Sequence, residues 1–151
     1  MVDPPNPFRC PPGPYERVSM VAHMLKETNP TAKIIIADPK AKFSKMALFQ
    51  EGWADNYAGM VDWIGGDFGG GNVSVNPHDM TVTIDGEVNK VDVCNVIPAM
   101  KAGLIADLAG VTDGNWAPVN AADMSSKADA DIHVLGDACS QGDIPKSGFS
   151  A

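Results

Sequence analysis

Lys33-Ile34-Ile35-Ile36-Ala37-Asp38-Pro39 decides the fold class. The run is short, continuous and β-branched, and a turn pair closes it, which is the pattern of a strand buried on both faces of a parallel sheet. Upstream, Tyr15, Val18, Val21, Ala22 and Leu25 recur at helical spacing. Pro14 stands where a first helical residue is tolerated, Glu16 near the positive helix end and Lys26 near the negative one. Asn29-Pro30 stops the helix. A helix feeding a buried strand is half of a βαβ unit, whose first strand is here absent or only begun. Downstream, 44–56 reads as a second helix with Met46, Phe49, Trp53 and Tyr57 along one side, and Val61-Asp62-Trp63-Ile64 as another short strand.

From Val73 the apolar period changes to two, through Val73 and Val75, then Met80, Val82 and Ile84, then Val91 and Val93. Asp85-Gly86 marks a tight turn between the last two runs, so the segment reads as a small antiparallel meander. Pro98 is expected to open a third helix that buries Met100, Leu104, Ile105 and Leu108 and ends at Gly110. A last strand is expected over 132–135. The fold class is therefore α/β, with a short parallel sheet, an antiparallel meander and a truncated first strand. The missing strand should leave a slot beside Ile34–Ile36, filled by the 132–135 strand or by a second copy of the chain pairing at the exposed edge.

Composition narrows the function classes. Nineteen acidic against eleven basic side chains give a net charge of −8, which argues against a nucleic-acid partner held through its phosphates. No apolar run is long enough to span a bilayer, and the first residues show neither the basic start nor the apolar stretch of a signal peptide. Three well-separated cysteines, Cys10, Cys94 and Cys139, form no Cys-x-x-Cys, and the three histidines lack zinc-ligand spacing, so no metal is expected.

Arg9-Cys10-Pro11-Pro12-Gly13-Pro14-Tyr15-Glu16 lies where a nucleotide-binding unit carries its glycine-rich phosphate loop, but prolines have no N–H to offer a phosphate. Such a turn can instead present a thiol. Cys10 precedes a helix N-terminus and follows Arg9, two features that favour a thiolate, and Glu16 in the first helical turn could exchange a proton near it. A buried, inert cysteine fits the same residues. Asp38, at the strand end where an acid grips a nucleotide ribose, reads as a turn former. Gly65–Gly71 leads into a strand without a following Lys-Ser or Lys-Thr, and so reads as a flexible connection. Ile132-His133-Val134-Leu135-Gly136-Asp137-Ala138 ends a hydrophobic run in Gly-Asp, putting a carboxylate where open α/β sheets bind ligands.

Pro7-Phe8-Arg9-Cys10-Pro11-Pro12-Gly13-Pro14-Tyr15-Glu16-Arg17, His133-Val134-Leu135-Gly136-Asp137-Ala138 and Pro145-Lys146-Ser147-Gly148-Phe149-Ser150-Ala151 together resemble the flavoprotein subunit of flavocytochrome c sulfide dehydrogenase. More distantly the chain is similar to sulfide:quinone reductases. The resemblance implies a Rossmann-like second nucleotide-binding domain. It also implies FAD as cofactor, sulfide as substrate, a c-type cytochrome subunit as partner and the periplasm as compartment. It casts Cys10 as the flavin-side redox cysteine, Glu16 as the active-site base, Gly136 and Asp137 as the second FAD motif and Lys146 as a residue near the flavin. Residues 1–117 would then be a degenerate NAD-binding-like domain with the meander, and 118–151 a tail matching part of the FAD domain. Because the family's Gly-x-Gly-x-x-Gly domain is not in this sequence, the expectation is a central fragment, inactive and without bound FAD on its own. The alternatives are a non-catalytic scaffold domain and a thiol oxidoreductase using Cys10 without flavin.

Overall fold

The computed structural model describes residues 1–140. They gather into two compact units: Met1–Asn6 with Pro12–Pro98, and Pro7–Pro11 with the described residues from Ala99 on. Lys146 and the rest of 141–151 lie outside the described residues.

The first unit is built around the expected parallel pair. Helix α1 (Gly13–Thr28) begins with proline in its first turn and buries Pro14, Tyr15, Val18 and Ala22. Strand β1 (Ile34–Ala37) pairs in parallel with β2 (Val61–Ile64), Ile34 opposite Val61, and α2 (Met46–Asn56) is the crossover between them. One core cluster joins Tyr15, Val18, Ile36, Phe43 and Trp53. Its centre is aromatic: the Tyr15 and Phe43 rings stack with centroids 3.7 Å apart, and Phe49, Trp53 and Trp63 pack around Phe43. The spacing of Met46, Phe49, Trp53 and Tyr57 on α2 brings all four against this cluster, as the periodicity required.

The slot beside β1 is filled, though by neither expected occupant. Val2 bridges Ala37 on one side and Val96 on the other, both in parallel. Asp3 N–H donates to the Ala37 carbonyl at 2.9 Å and Ile97 N–H to the Val2 carbonyl at 2.9 Å. The chain's own first residues thus act as the first strand of the βαβ unit, and the edge at Ala37 offers no place for the 132–135 segment or a second copy.

After β2 a short 3₁₀ turn (Gly66–Phe68) leads into an antiparallel meander of β3 (Val73–Asn76), β4 (Thr81–Ile84) and β5 (Glu87–Lys90). The β4–β5 turn is Asp85-Gly86, with φ of 49° and 87°, the left-handed pair that a two-residue hairpin demands. β5 ends before Val91 and Val93, so the third run forms earlier than its valines indicated, and Cys94 lies beyond the meander. Ala37, Val82 and Ile84 form a second buried cluster.

The second unit is less regular. Helix α3 spans only Leu104–Leu108, because upstream N–H groups are engaged elsewhere: Ala102 N–H donates to the Asn115 carbonyl at 2.7 Å. Its buried side is Ala102 and Ala106, packed with Val111, Trp116 and Ala117. Leu104, Ile105 and Leu108 are 68–77% exposed, the reverse of the expected face, since small residues let the helix approach Trp116 closely. The expected 132–135 strand is reduced to one bridge, His133 to Ser125, because its backbone pairs with an irregular loop. A two-residue strand β6 (Ala117–Pro118) pairs in parallel with β7 (Cys139–Ser140), just after a 3₁₀ turn at Gly136–Ala138.

Candidate functional site

Within the second unit, Arg9 organises the residues of interest. Its Nε donates to the Asp137 carbonyl at 2.6 Å and its Nη2 to the Cys139 carbonyl at 2.8 Å. The guanidinium lies over the Trp116 ring, 3.7 Å from the centroid, a cation–π stack. An ion pair to the Asp137 carboxylate at 3.9 Å is longer and adds little, because Asp137 is well exposed. Burial lowers the guanidinium's pKa, opposed by the nearby Asp137 and Cys139. Arg9 N–H also approaches the Met100 sulfur at 3.3 Å. The residue before Cys10 is thus fastened to the turn carrying Gly136 and Asp137.

Among the described residues of this unit, two buried donors have no partner. Arg9 Nη1 and Trp116 Nε1 are buried and unbonded among the described residues. A buried polar group left so costs about 1–3 kcal/mol.

Cys10 is exposed and adopts φ of 53°, a left-handed conformation unusual for a residue with a Cβ. Its exposure removes the buried reading of this cysteine. Cys139 is buried, its thiol donating to the Gly136 carbonyl at 3.1 Å, and Cys94 is half-buried; all three are free thiols. Gly136 is buried at φ of 70°, where a Cβ would be strained, and it turns the chain so that Asp137 faces outward. Glu16 is exposed on α1 and belongs to the first unit, whereas Cys10, Gly136 and Asp137 share the second.

In the first unit Asp38 does more than form a turn. It is fully buried at the end of β1, and its Oδ1 accepts from Lys40 N–H at 2.9 Å and pairs with Lys40 Nζ at 2.7 Å. Its Oδ2 accepts from Tyr15 OH at 2.7 Å and Trp63 Nε1 at 3.0 Å. Tyr15 OH also lies 2.8 Å from Asp3 Oδ2, which pairs with Lys40 Nζ at 2.8 Å. Burial raises the Asp3 pKa, partly offset by Lys40 and Tyr15, and burial with the two acids raises that of the phenol. Every oxygen with which Asp38 could grip a ribose is thus engaged inside the protein. Asp3 and Lys40 escaped sequence reading because single charges beside strands carry no periodic signal.

The glycine run is a packing surface, not a flexible connection. A Cβ at Gly70 would collide with the Ile64 carbonyl and lie 2.7 Å from the Asp38 carbonyl, and one at Gly66 would meet the Pro39 carbonyl carbon at 2.9 Å. The loop presses backbone to backbone on the Asp38–Lys40 turn and helps to seal it. An open cleft of about 380 Å³ between Lys26, Lys33 and Tyr57 lies at the start of β1 and β2, the opposite end from that at which open α/β sheets bind ligands. Among the described residues no His, Cys, Asp or Glu cluster could hold a metal, and no helix is long and apolar enough to cross a membrane.

A family model described as the central region of the sulfide dehydrogenase (flavocytochrome c) flavoprotein chain matches residues 1–98. The chain belongs to this family. The matched span ends at Pro98, where the first compact unit ends. It contains Cys10 and Glu16 and stops short of Gly136 and Asp137.

Proposed function

We propose that this chain supplies the redox-cysteine turn and part of the flavin site of an FAD-dependent flavoprotein that oxidises sulfide, with electrons passing to a c-type cytochrome subunit. Family membership supports the reaction class. The observation that carries the site is the Arg9 clamp, which ties the residue before Cys10 to the carbonyls of Asp137 and Cys139.

The donor chemistry fits FAD. Two buried N–H groups, Arg9 Nη1 and Trp116 Nε1, have no acceptor among the described residues and suit an acceptor-rich ligand, and the outward carboxylate of Asp137 can accept from ribityl hydroxyls. Gly136 and Asp137 would hold the cofactor, with Lys146 added from the family pattern. When bound, FAD supplies a two-electron acceptor. Cys10 presents an accessible sulfur on a rigid, proline-flanked turn and carries sulfide-derived sulfur. Glu16 is the active-site base by the family pattern. The first unit serves as a scaffold in this scheme, because its strand-end acid is closed off. A Rossmann-like ancestry of that unit and the periplasm as compartment are part of the same proposal.

Titration of flavin fluorescence with the purified chain tests the site. The chain alone is not expected to retain FAD through purification, so the quenching expected is weak but saturable at high FAD concentration, and it is weakened at least about 10-fold by Asp137→Ala, in which a carboxylate–hydroxyl bond of about 1.5–3 kcal/mol is lost. Quenching that Asp137→Ala leaves unchanged would contradict the assignment. The exposure of Cys10 also suits a thiol oxidoreductase working without flavin; reaction of Cys10 with sulfur donors at the same rate with and without FAD would favour that second reading.

A further inference from the structure

We infer that Arg9 and Trp116 form an acceptor-binding element for the flavin cofactor, an inference that rests on the flavin reading of the Gly136–Asp137 turn. Among the described residues three buried side-chain polar atoms lack partners, and the two that are donors, Arg9 Nη1 and Trp116 Nε1, belong to one stacked pair. The third is a carboxylate oxygen of Asp3, in the other unit. The other two indoles are satisfied: Trp53 donates to Ser19 Oγ at 2.9 Å and Trp63 to Asp38 Oδ2 at 3.0 Å. An orphan indole is therefore not a general feature of this chain.

Both side chains are about nine-tenths buried, Arg9 at 10% and Trp116 at 8% exposure. Nε and Nη2 of Arg9 are already engaged with the carbonyls of the 137–139 turn, which fixes the direction of the remaining Nη1 donor. Two N–H groups on one stacked pair, one of them cationic and neither with an acceptor among the described residues, select a ligand group that brings carbonyl or phosphate oxygens. FAD carries both kinds of oxygen. The element thus adds two residues to the flavin contacts expected of Gly136 and Asp137.

The indole N–H of Trp116 is its own reporter. The full chain labelled with ¹⁵N-tryptophan gives three indole resonances, one for each tryptophan, and Trp116→Phe assigns that of Trp116. Titration with FAD to millimolar concentration should move the Trp116 indole proton downfield while those of Trp53 and Trp63 stay. Riboflavin and ADP as separate arms locate the acceptor: movement with riboflavin assigns it to the ring or ribityl chain, and movement with ADP to a phosphate. Phenylalanine keeps a ring beneath Arg9, so Trp116→Phe should weaken FAD binding by about 3- to 10-fold, beyond whatever melting-temperature loss the smaller ring causes in the ligand-free protein. A Trp116 resonance that stays still while other resonances saturate with FAD overturns the inference and leaves the flavin reading standing. No response of any resonance to FAD overturns both. A Trp116→Phe variant that binds FAD normally shows a purely structural indole and overturns the inference.

Discussion

Removing one hydroxyl, in Tyr15→Phe, should unsettle the whole first unit. The phenol has one proton and two carboxylate neighbours, Asp38 Oδ2 at 2.7 Å and Asp3 Oδ2 at 2.8 Å. Both acids are fully buried, and Lys40 is the cation paired with both. One phenolic proton cannot satisfy two carboxylates, so the second short contact requires a proton on an acid. Burial raises the Asp3 pKa, which makes it the acid that more readily shares a proton there. Phenylalanine keeps the stack on Phe43 but deletes two hydrogen bonds to acid groups, each worth about 1.5–3 kcal/mol and not fully additive. The expected loss is about 3 kcal/mol, or a drop in melting temperature on the order of 15 °C. Urea unfolding followed by tryptophan fluorescence reads this directly, because Trp63 is bonded to the same Asp38 oxygen. A loss below about 0.5 kcal/mol would show that the hydroxyl is not the bridge described here.

The same network gives a pH dependence with a definite sign. A raised Asp3 pKa means a contribution fully present below its ordinary value of 3.8 and lost as pH rises through the folded value; Asp3→Asn should flatten that fall in chemical denaturation across pH 4–8. Exposed Asp123 runs the other way: hydrogen bonds from Ser125 lower its pKa, so its contribution is lost as pH falls through the folded value, and Ser125→Ala should move its NMR titration toward the ordinary range. Gly70→Ala should cost at least about 3 kcal/mol, because the new methyl meets the Ile64 and Asp38 carbonyls. Gly52→Ala, in α2 with open space around it, should gain about 0.5–1 kcal/mol in the same assay. Under native conditions iodoacetamide should label Cys10 first and Cys139 last, as their exposures dictate, and peptide mapping would show any other order.

Strong local signals in the sequence were legible. The Ile34–Ile36 run, the four-residue spacing along α2 and the Asp85-Gly86 turn each reflect a physical demand that one short segment meets alone. What failed depends on distant partners. Val2 serves as the first strand only because Ala37 and Val96 lie on either side of it. Leu104, Ile105 and Leu108 look like a core face until Ala106 and Trp116 are seen to pack closely on the other side. The glycine run looked flexible because sequence cannot show the Pro39 backbone pressed against it. In the candidate site, Cys10, Gly136 and Asp137 were visible as unusual residues in unusual turns. The Arg9 clamp that joins them was not, since an arginine and a turn more than a hundred residues apart give no local sign of their meeting.

The central claim is that Cys10 is the sulfur-handling thiol beside a flavin. The chain alone is not expected to retain FAD or to turn over, so the most direct test is a single turnover: anaerobic addition of sulfide to the chain held at saturating FAD, followed through the oxidised-flavin absorption band. The wild-type protein should lose the band and Cys10→Ser should keep it, with both variants binding FAD equally. Equal bleaching in the two, with FAD equally bound, would contradict the role given to Cys10.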